Sequence, residues 1–201
     1  MKKEIKFREE YLNRLAVELN NRLFVRKGFP IDLTKLKISC GFPSTGGTRS
    51  KGKTIGQCFA TSGNGFNEVF IHPEIDNPIS AGGVLVHELV HAVDDCKNGH
   101  GKVFRDIALL MGLEGKMTAT TIGKDLEELL EKITNELGVY PHKSLKVETK
   151  KQSTRMIKLI CGVPHVELKT GFYILRVSRA SADFGIPSCP CGNKMEIAPS
   201  K

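Results

Sequence analysis

No tryptophan occurs in these 201 residues, and aromatic side chains make up only 6% of them. The basic C-terminal part offers only Phe172, Tyr173 and Phe184. That is too few for base stacking to read a nucleic-acid sequence. Nor is there a long hydrophobic run. The apolar stretch at residues 84–93 falls short of the ~20 residues that cross a bilayer, and His87, Glu88 and His91 interrupt it. The opening Met1-Lys2-Lys3-Glu4-Ile5-Lys6 lacks the apolar core of a secretion signal. A cytoplasmic location and no membrane partner are therefore expected. Six cysteines in that compartment read as thiols or metal ligands rather than disulfides.

What is present starts with Gly82-Gly83-Val84-Leu85-Val86-His87-Glu88-Leu89-Val90-His91-Ala92. On a helix, residues four apart stand one turn above each other, so His87 and His91 project from one face. Two imidazoles held this way can share a zinc ion at Zn–N distances of about 2.0–2.1 Å. Glu88 lies about 100° round the helix, beside the metal rather than on it, where a carboxylate can act as general base. The surrounding Val84, Leu85, Val86, Leu89 and Val90 make the helix apolar nearly all round. Burying two imidazoles and a carboxylate there without partners would cost several kcal/mol, at roughly 1–3 per group, and a metal removes that cost.

The flanking pattern reads as α+β. Leu12, Leu15, Ala16, Leu19, Leu23 and Phe24 predict a helix over residues 7–27, with Arg8, Glu9, Glu10, Asn13 and Arg14 on its outer face. Short strands are expected at 36–41, 54–60 and 68–72. The Gly-, Ser- and Lys-rich stretch 43–53 reads as a mobile basic loop, a solvated hairpin tip or a contact for nucleic acid or substrate. His72, at the end of a strand, reads as structural. Asn77 and Pro78 mark a helix start and Asn98-Gly99 its end. Gly82 and Gly83 should let a neighbouring element pack close. His100 opens a further helix that turns Val103, Phe104, Ile107, Ala108 and Met111 inward; it is the expected third metal ligand, with Asp94 and Asp95 as competitors. Asp95, four residues beyond His91, suits a hydrogen bond to a ligand imidazole better. A last helix is predicted over 124–137. Cys40, Cys58 and Cys96 read as small buried hydrophobes.

From Lys143 onward, eleven Lys or Arg face four Asp or Glu, a net of +7, which leaves +1 for residues 1–142. That asymmetry points to a phosphate-rich partner for the tail, contacted through Lys150, Lys151, Arg155, Lys158, Arg176 and Arg179. A basic linker is expected over 143–155, then a small β domain over 156–201. In it Cys161-Gly-Val-Pro-His165 and Cys189-Pro-Cys191-Gly form two turns about 27 residues apart. This is the layout of a zinc ribbon with Cys161, His165, Cys189 and Cys191 on a structural zinc.

The motif His87-Glu88-Leu89-Val90-His91-Ala92, followed by His100-Gly101-Lys102-Val103-Phe104, resembles the active-site pair of the SprT-like metallopeptidases. Gly41-Phe42-Pro43, Ile55-Gly56-Gln57-Cys58 and residues 114–120 are similar to the phage and prophage branch of that family, to which Spartan is related. The resemblance implies a compact zincin-like domain over 1–142, with one strand bordering a substrate groove. Catalytic zinc would sit on His87, His91 and His100, with Glu88 as the base. It also implies proteolysis directed to protein on DNA, in the host cytoplasm if the gene is phage-borne. The gap before His100 is shorter than the family's, and His165 stands where a ribbon Cys is expected. For the oxyanion, His72, Lys116 and Tyr140 are candidates. Two other functions fit the residues: a DNA-binding accessory protein without turnover, and a protease of one regulator with a docking tail. Nothing indicates an oligomer.

Overall fold

The computed structural model describes residues 5–48, 52–146 and 156–199 of the chain, which divides into two units, 1–148 and 149–201. Both mix helix and strand, so the chain is α+β.

The first unit opens with α1 (Arg8–Leu19), which continues through a π-helical segment and a short 3-10 turn to Lys27 and stops at Gly28 with φ 84°. The apolar stripe is buried as its spacing demands: Tyr11, Leu12, Leu15, Ala16, Leu19 and Phe24 are all at 1% exposure or less. Arg8 departs from the expectation. It is buried, and its guanidinium donates to the carbonyls of Pro73 (2.6 Å), Pro141 (3.2 Å) and Lys143 (2.6 Å). Helical periodicity sees a charge and assigns it to water; it cannot see three carbonyls arriving from distant segments. The same clamp, with Leu145 N–H donating to Pro73 O at 3.0 Å, holds residues 141–145 on this unit, past the expected boundary at 142. The remainder of the expected linker, 147–155, lies outside the described residues.

Strands β1 (Leu36–Cys40), β2 (Gly56–Phe59) and β3 (Asn67–Ile71) form a sheet in the order β1-β3-β2, with β1 parallel and β2 antiparallel to β3. Strand β2 is therefore an edge. The stretch between β1 and β2 is pinned rather than free in its described part. Pro43 and Gly47 are buried, Thr54 N–H donates to Gly46 O, and His72 Nε2 lies 2.7 Å from Gly47 O. His72 Nδ1 accepts from Glu74 N–H, so Nε2 carries the proton and donates to Gly47. The buried histidine is the anchor that composition alone concealed.

Helix α2 (Pro78–Val93) crosses this sheet and packs against β2, β3, α1, α3 and α4. Asn77 caps it, accepting Ser80 N–H at 2.9 Å, with Pro78 at the first helical position as expected. Gly82 and Gly83 admit close neighbours: a Cβ on them would lie 2.6 Å from Leu130 and 2.7 Å from Ile122. The helix ends at Val93, not at Asn98-Gly99. Cys96 N–H returns to His91 O at 2.8 Å, and Asp95 and Cys96 take positive φ of 57° and 59°. A left-handed pair of non-glycine residues leaves no signature of Gly or Pro to read.

Helix α3 (Lys102–Leu110) buries Phe104, Ile107 and Ala108, while Val103 is exposed rather than inward. The hairpin β4 (Leu113–Lys116) and β5 (Ala119–Ile122), absent from the sequence reading, precedes α4 (Lys124–Leu137).

In the second unit β6 (Ile157–Cys161) lies between β7 (Ile174–Val177) and β8 (Met195–Ile197), both antiparallel to it. Strand β7 is only four residues long, and a short α5 (Arg179–Phe184), capped by Ser178, follows it within the expected β domain. The buried centre is small: Leu159, Cys161, Cys189 and Met195. No helix among the described residues is long and apolar enough to cross a membrane.

Candidate metal centres

Helix α2 places His87 and His91 one turn apart, and the early stop at Val93 brings the chain back so that His100 meets both. His100 Nε2 lies 3.1 Å from His87 Nε2 and 3.3 Å from His91 Nε2. Three nitrogens on a zinc ion at about 2.05 Å in tetrahedral geometry would be about 3.3 Å apart. The donor set therefore fits a zinc ion, with the open side that exposed His100 leaves toward solvent. Phe104, only 1% exposed, underlies all three rings at centroid distances of 4.9 Å to His87, 4.3 Å to His91 and 4.9 Å to His100.

Burial, then the neighbouring imidazoles, hold His87 down to about 3, and burial and His100 hold His91 down to about 4. Partial desolvation lowers His100 as well, exposed though it is. All three are thus neutral near pH 7, the form that ligates metal. His87 Nδ1 lies 2.9 Å from Thr120 Oγ1 on β5. Thr120 is the hydrogen-bond partner that sequence reasoning missed. Asp95, expected in that role, instead accepts from Thr61 N–H (2.7 Å), Thr61 Oγ1 (3.1 Å) and Asn67 Nδ2 (3.0 Å). The left-handed backbone at Asp95 underlies this: it directs the carboxylate to the end of the sheet, away from the imidazoles. Asp94 binds Asn98 through Oδ2, and neither acid joins the three histidines.

Glu88 is 4% exposed and sits under β2. A Cβ on Gly56 would overlap its Oε1. Burial, with a smaller contribution from Cys96, pushes the carboxyl up to about 8. Half-buried Cys58 and Cys96 lie on the same side, Cys96 Sγ being 3.6 Å from Cys58 O. Of the three oxyanion candidates, His72 spends both ring nitrogens on Gly47 and Glu74, and Tyr140 is buried against Tyr11 and Arg8. Lys116 stands exposed on the hairpin.

The second cluster joins Cys161 at the end of β6, His165, and Cys189 and Cys191 on the turn before β8. Cys161 Sγ is 3.7 Å from Cys191 Sγ and Cys189 Sγ is 3.3 Å from His165 Nε2. Two thiolates on tetrahedral zinc at about 2.3 Å would stand about 3.8 Å apart, so this donor set fits too, as a closed four-ligand site. Gly192, with φ 89°, makes the sharp turn. Asn193 Nδ2 donates to Cys191 Sγ at 3.3 Å and draws that thiol down to about 6. Glu167 lies 3.0 Å from His165 Nδ1 and orients the ring. Both clusters can bind metal ions, and their donors are compatible with zinc.

Of the expected phosphate contacts, Lys158 and Arg176 face each other across β6 and β7, and exposed Arg179 begins α5, 4.0 Å from Asp183. Lys150, Lys151 and Arg155 lie outside the described residues. Comparison with family models, curated proteins and solved structures finds no match to this chain.

Proposed function

We propose that the chain is a zinc-dependent endopeptidase of SprT-like, zincin type, directed to proteins on DNA by a basic, ribbon-like second unit. The observation that carries the reading is the convergence of three imidazoles beside the buried carboxyl group of Glu88, under the open edge of a sheet.

His87, His91 and His100 would hold the zinc, which when bound would supply a Lewis acid for the scissile carbonyl and lower the pKa of an attacking water. Glu88 takes the proton from that water and delivers it to the leaving amine. Burial raises the Glu88 carboxyl in the metal-free protein, and the charge of a zinc ion beside it would draw it back toward the carboxylate that the first transfer needs. Strand β2, whose outer side pairs with no strand among the described residues, offers main-chain donors and acceptors to an extended peptide. Lys158 and Arg176 are like charges directly opposite each other, an unfavourable pair that a phosphate would relieve.

A second reading, a protease dedicated to one regulator with a protein-docking tail, is favoured by Phe184 and Val166, which are 97% and 94% exposed. One experiment separates the two. Zinc-loaded wild type and Glu88→Gln are incubated with a basic DNA-binding protein, with and without single-stranded DNA, and scored on a gel. Fragments that grow with DNA, vanish in Glu88→Gln and weaken steeply between about 50 and 200 mM salt support the DNA-directed enzyme. Fragments indifferent to DNA and salt support the docking tail. No fragments, with zinc and DNA both bound, would leave a non-catalytic DNA-binding protein.

A further inference from the structure

The β4–β5 hairpin has no part in the mechanism above, yet it lies against the helix that carries Glu88 and two of the histidines. Gly83 and His87 are one turn apart on α2, a rise of about 6 Å. Thr120 and Ile122 are two apart on β5, on one face of the strand and about 6.7 Å from each other. The two spacings match, and the side chains meet pairwise. Ile122 Cγ2 covers Gly83, where any Cβ would stand 2.7 Å from it. One turn on, Thr120 Oγ1 is 2.9 Å from His87 Nδ1. Gly83 thus lets the strand approach as closely as the hydroxyl requires. The base of the hairpin is fastened by Gly123 N–H to Gly112 O at 2.8 Å, which fixes the strand's position along the helix.

We propose that Thr120 is a positioning residue for the metal centre: its hydroxyl accepts Nδ1–H of His87, fixes that tautomer, and turns the Nε2 lone pair toward His91 and His100. A neutral imidazole has a single N–H, so assigning it to Nδ1 leaves Nε2 as the free donor atom. A ring without that partner can present either nitrogen and can rotate about its own axis. Thr120 touches neither substrate nor the attacking water; it acts through His87. The inference rests on reading the three histidines as a metal site.

The test compares full-length wild type, Thr120→Val, which keeps the shape without the hydroxyl, Thr120→Ser, which restores it, and Gly83→Ala. Zinc affinity is measured by competition with graded chelators, the Cys161–Cys191 cluster serving as internal reference. Imidazole ¹⁵N spectra of the zinc-free protein report the His87 tautomer. Thr120→Val is expected to weaken zinc at the histidine site about 10–100-fold and to mix the tautomers. Thr120→Ser should stay close to wild type, and Gly83→Ala should follow Thr120→Val because the strand is lifted away. Zinc affinity and tautomer unchanged in Thr120→Val would overturn the role of Thr120 while leaving the metal site standing. If wild type and His91→Ala bind the same number of zinc ions, the metal-site reading itself fails.

Discussion

Replacing Gly56 by alanine should separate metal binding from the chemistry beside it. The new methyl carbon would overlap Glu88 Oε1 and stand 2.5 Å from Val84 Cγ1, where carbon atoms rest at about 3.5–4.0 Å. Something must therefore yield by about 1 Å. The backbone of β2 is held to β3 along its length, from Gly56 opposite Ile71 to Phe59 opposite Glu68, so the side chains of α2 move first. Overpacking of this kind costs about 1–3 kcal/mol, and each kcal/mol lowers the melting temperature of a domain this size by about 2–4 °C. A carboxylate displaced by about 1 Å from its working position can lose about 100-fold in rate. The imidazoles are not touched, so zinc affinity should hold. The assay pairs proteolysis with melting and chelator competition, adding Gly56→Ala/Val84→Ala, which removes the aliphatic half of the clash. That double variant should recover part of the stability and little of the activity. A Gly56→Ala protein that melts and cleaves like wild type would refute the reasoning, because the overlap with Glu88 would then be absorbed at no cost.

Phe104→Ala should cost about 3–5 kcal/mol as a buried aromatic truncation and weaken zinc as well, since three imidazoles lose the surface they rest on; denaturant titration and chelator competition read the two effects. Arg8→Met removes the donor for the Pro141 and Lys143 carbonyls, at about 2–5 kcal/mol, and should make residues 141–146 the first site of limited proteolysis. Asp95 is held below the usual carboxylate range, first by the Thr61 backbone N–H and then by the Asn67 amide. A depressed folded pKa gives stability that is complete above the unfolded value near ~3.9 and is lost as pH falls through the folded one. Asp95→Asn should therefore melt below wild type at pH 7, and the gap between them should close on acidification below about pH 4; a gap constant down to pH 2 would contradict this.

How much was legible depended on whether a residue's partner lay close in sequence. The cap at Asn77, the His87/His91 spacing and the apolar faces of α1 and α4 are set within one or two turns, and the periodicity carried them. The grouping of His100 with that pair is readable from its place at the start of the next helix, although the turn that delivers it lies earlier, at Asp95 and Cys96. Periodicity alone puts Arg8 in water, because its acceptors are 65 to 135 residues away. The β4–β5 hairpin escaped notice because each strand is four residues long and Leu113-Glu114-Gly115-Lys116 has no alternation to detect. Thr120 went with it. The end of α2 is hidden because Asp95 and Cys96 adopt a conformation that glycine usually announces.

That unusual turn bears on how the histidine site fills. Asp95 ties the residues between α2 and His100 to Thr61 and Asn67 at the end of the sheet, so the fold itself helps to hold His100 beside the other two rings. That part of the entropic cost of gathering three ligands would fall on folding instead of on binding. An ion held by His100 would then be linked to the sheet end, and zinc titration is expected to slow amide exchange at Thr61, on the opposite side of the turn.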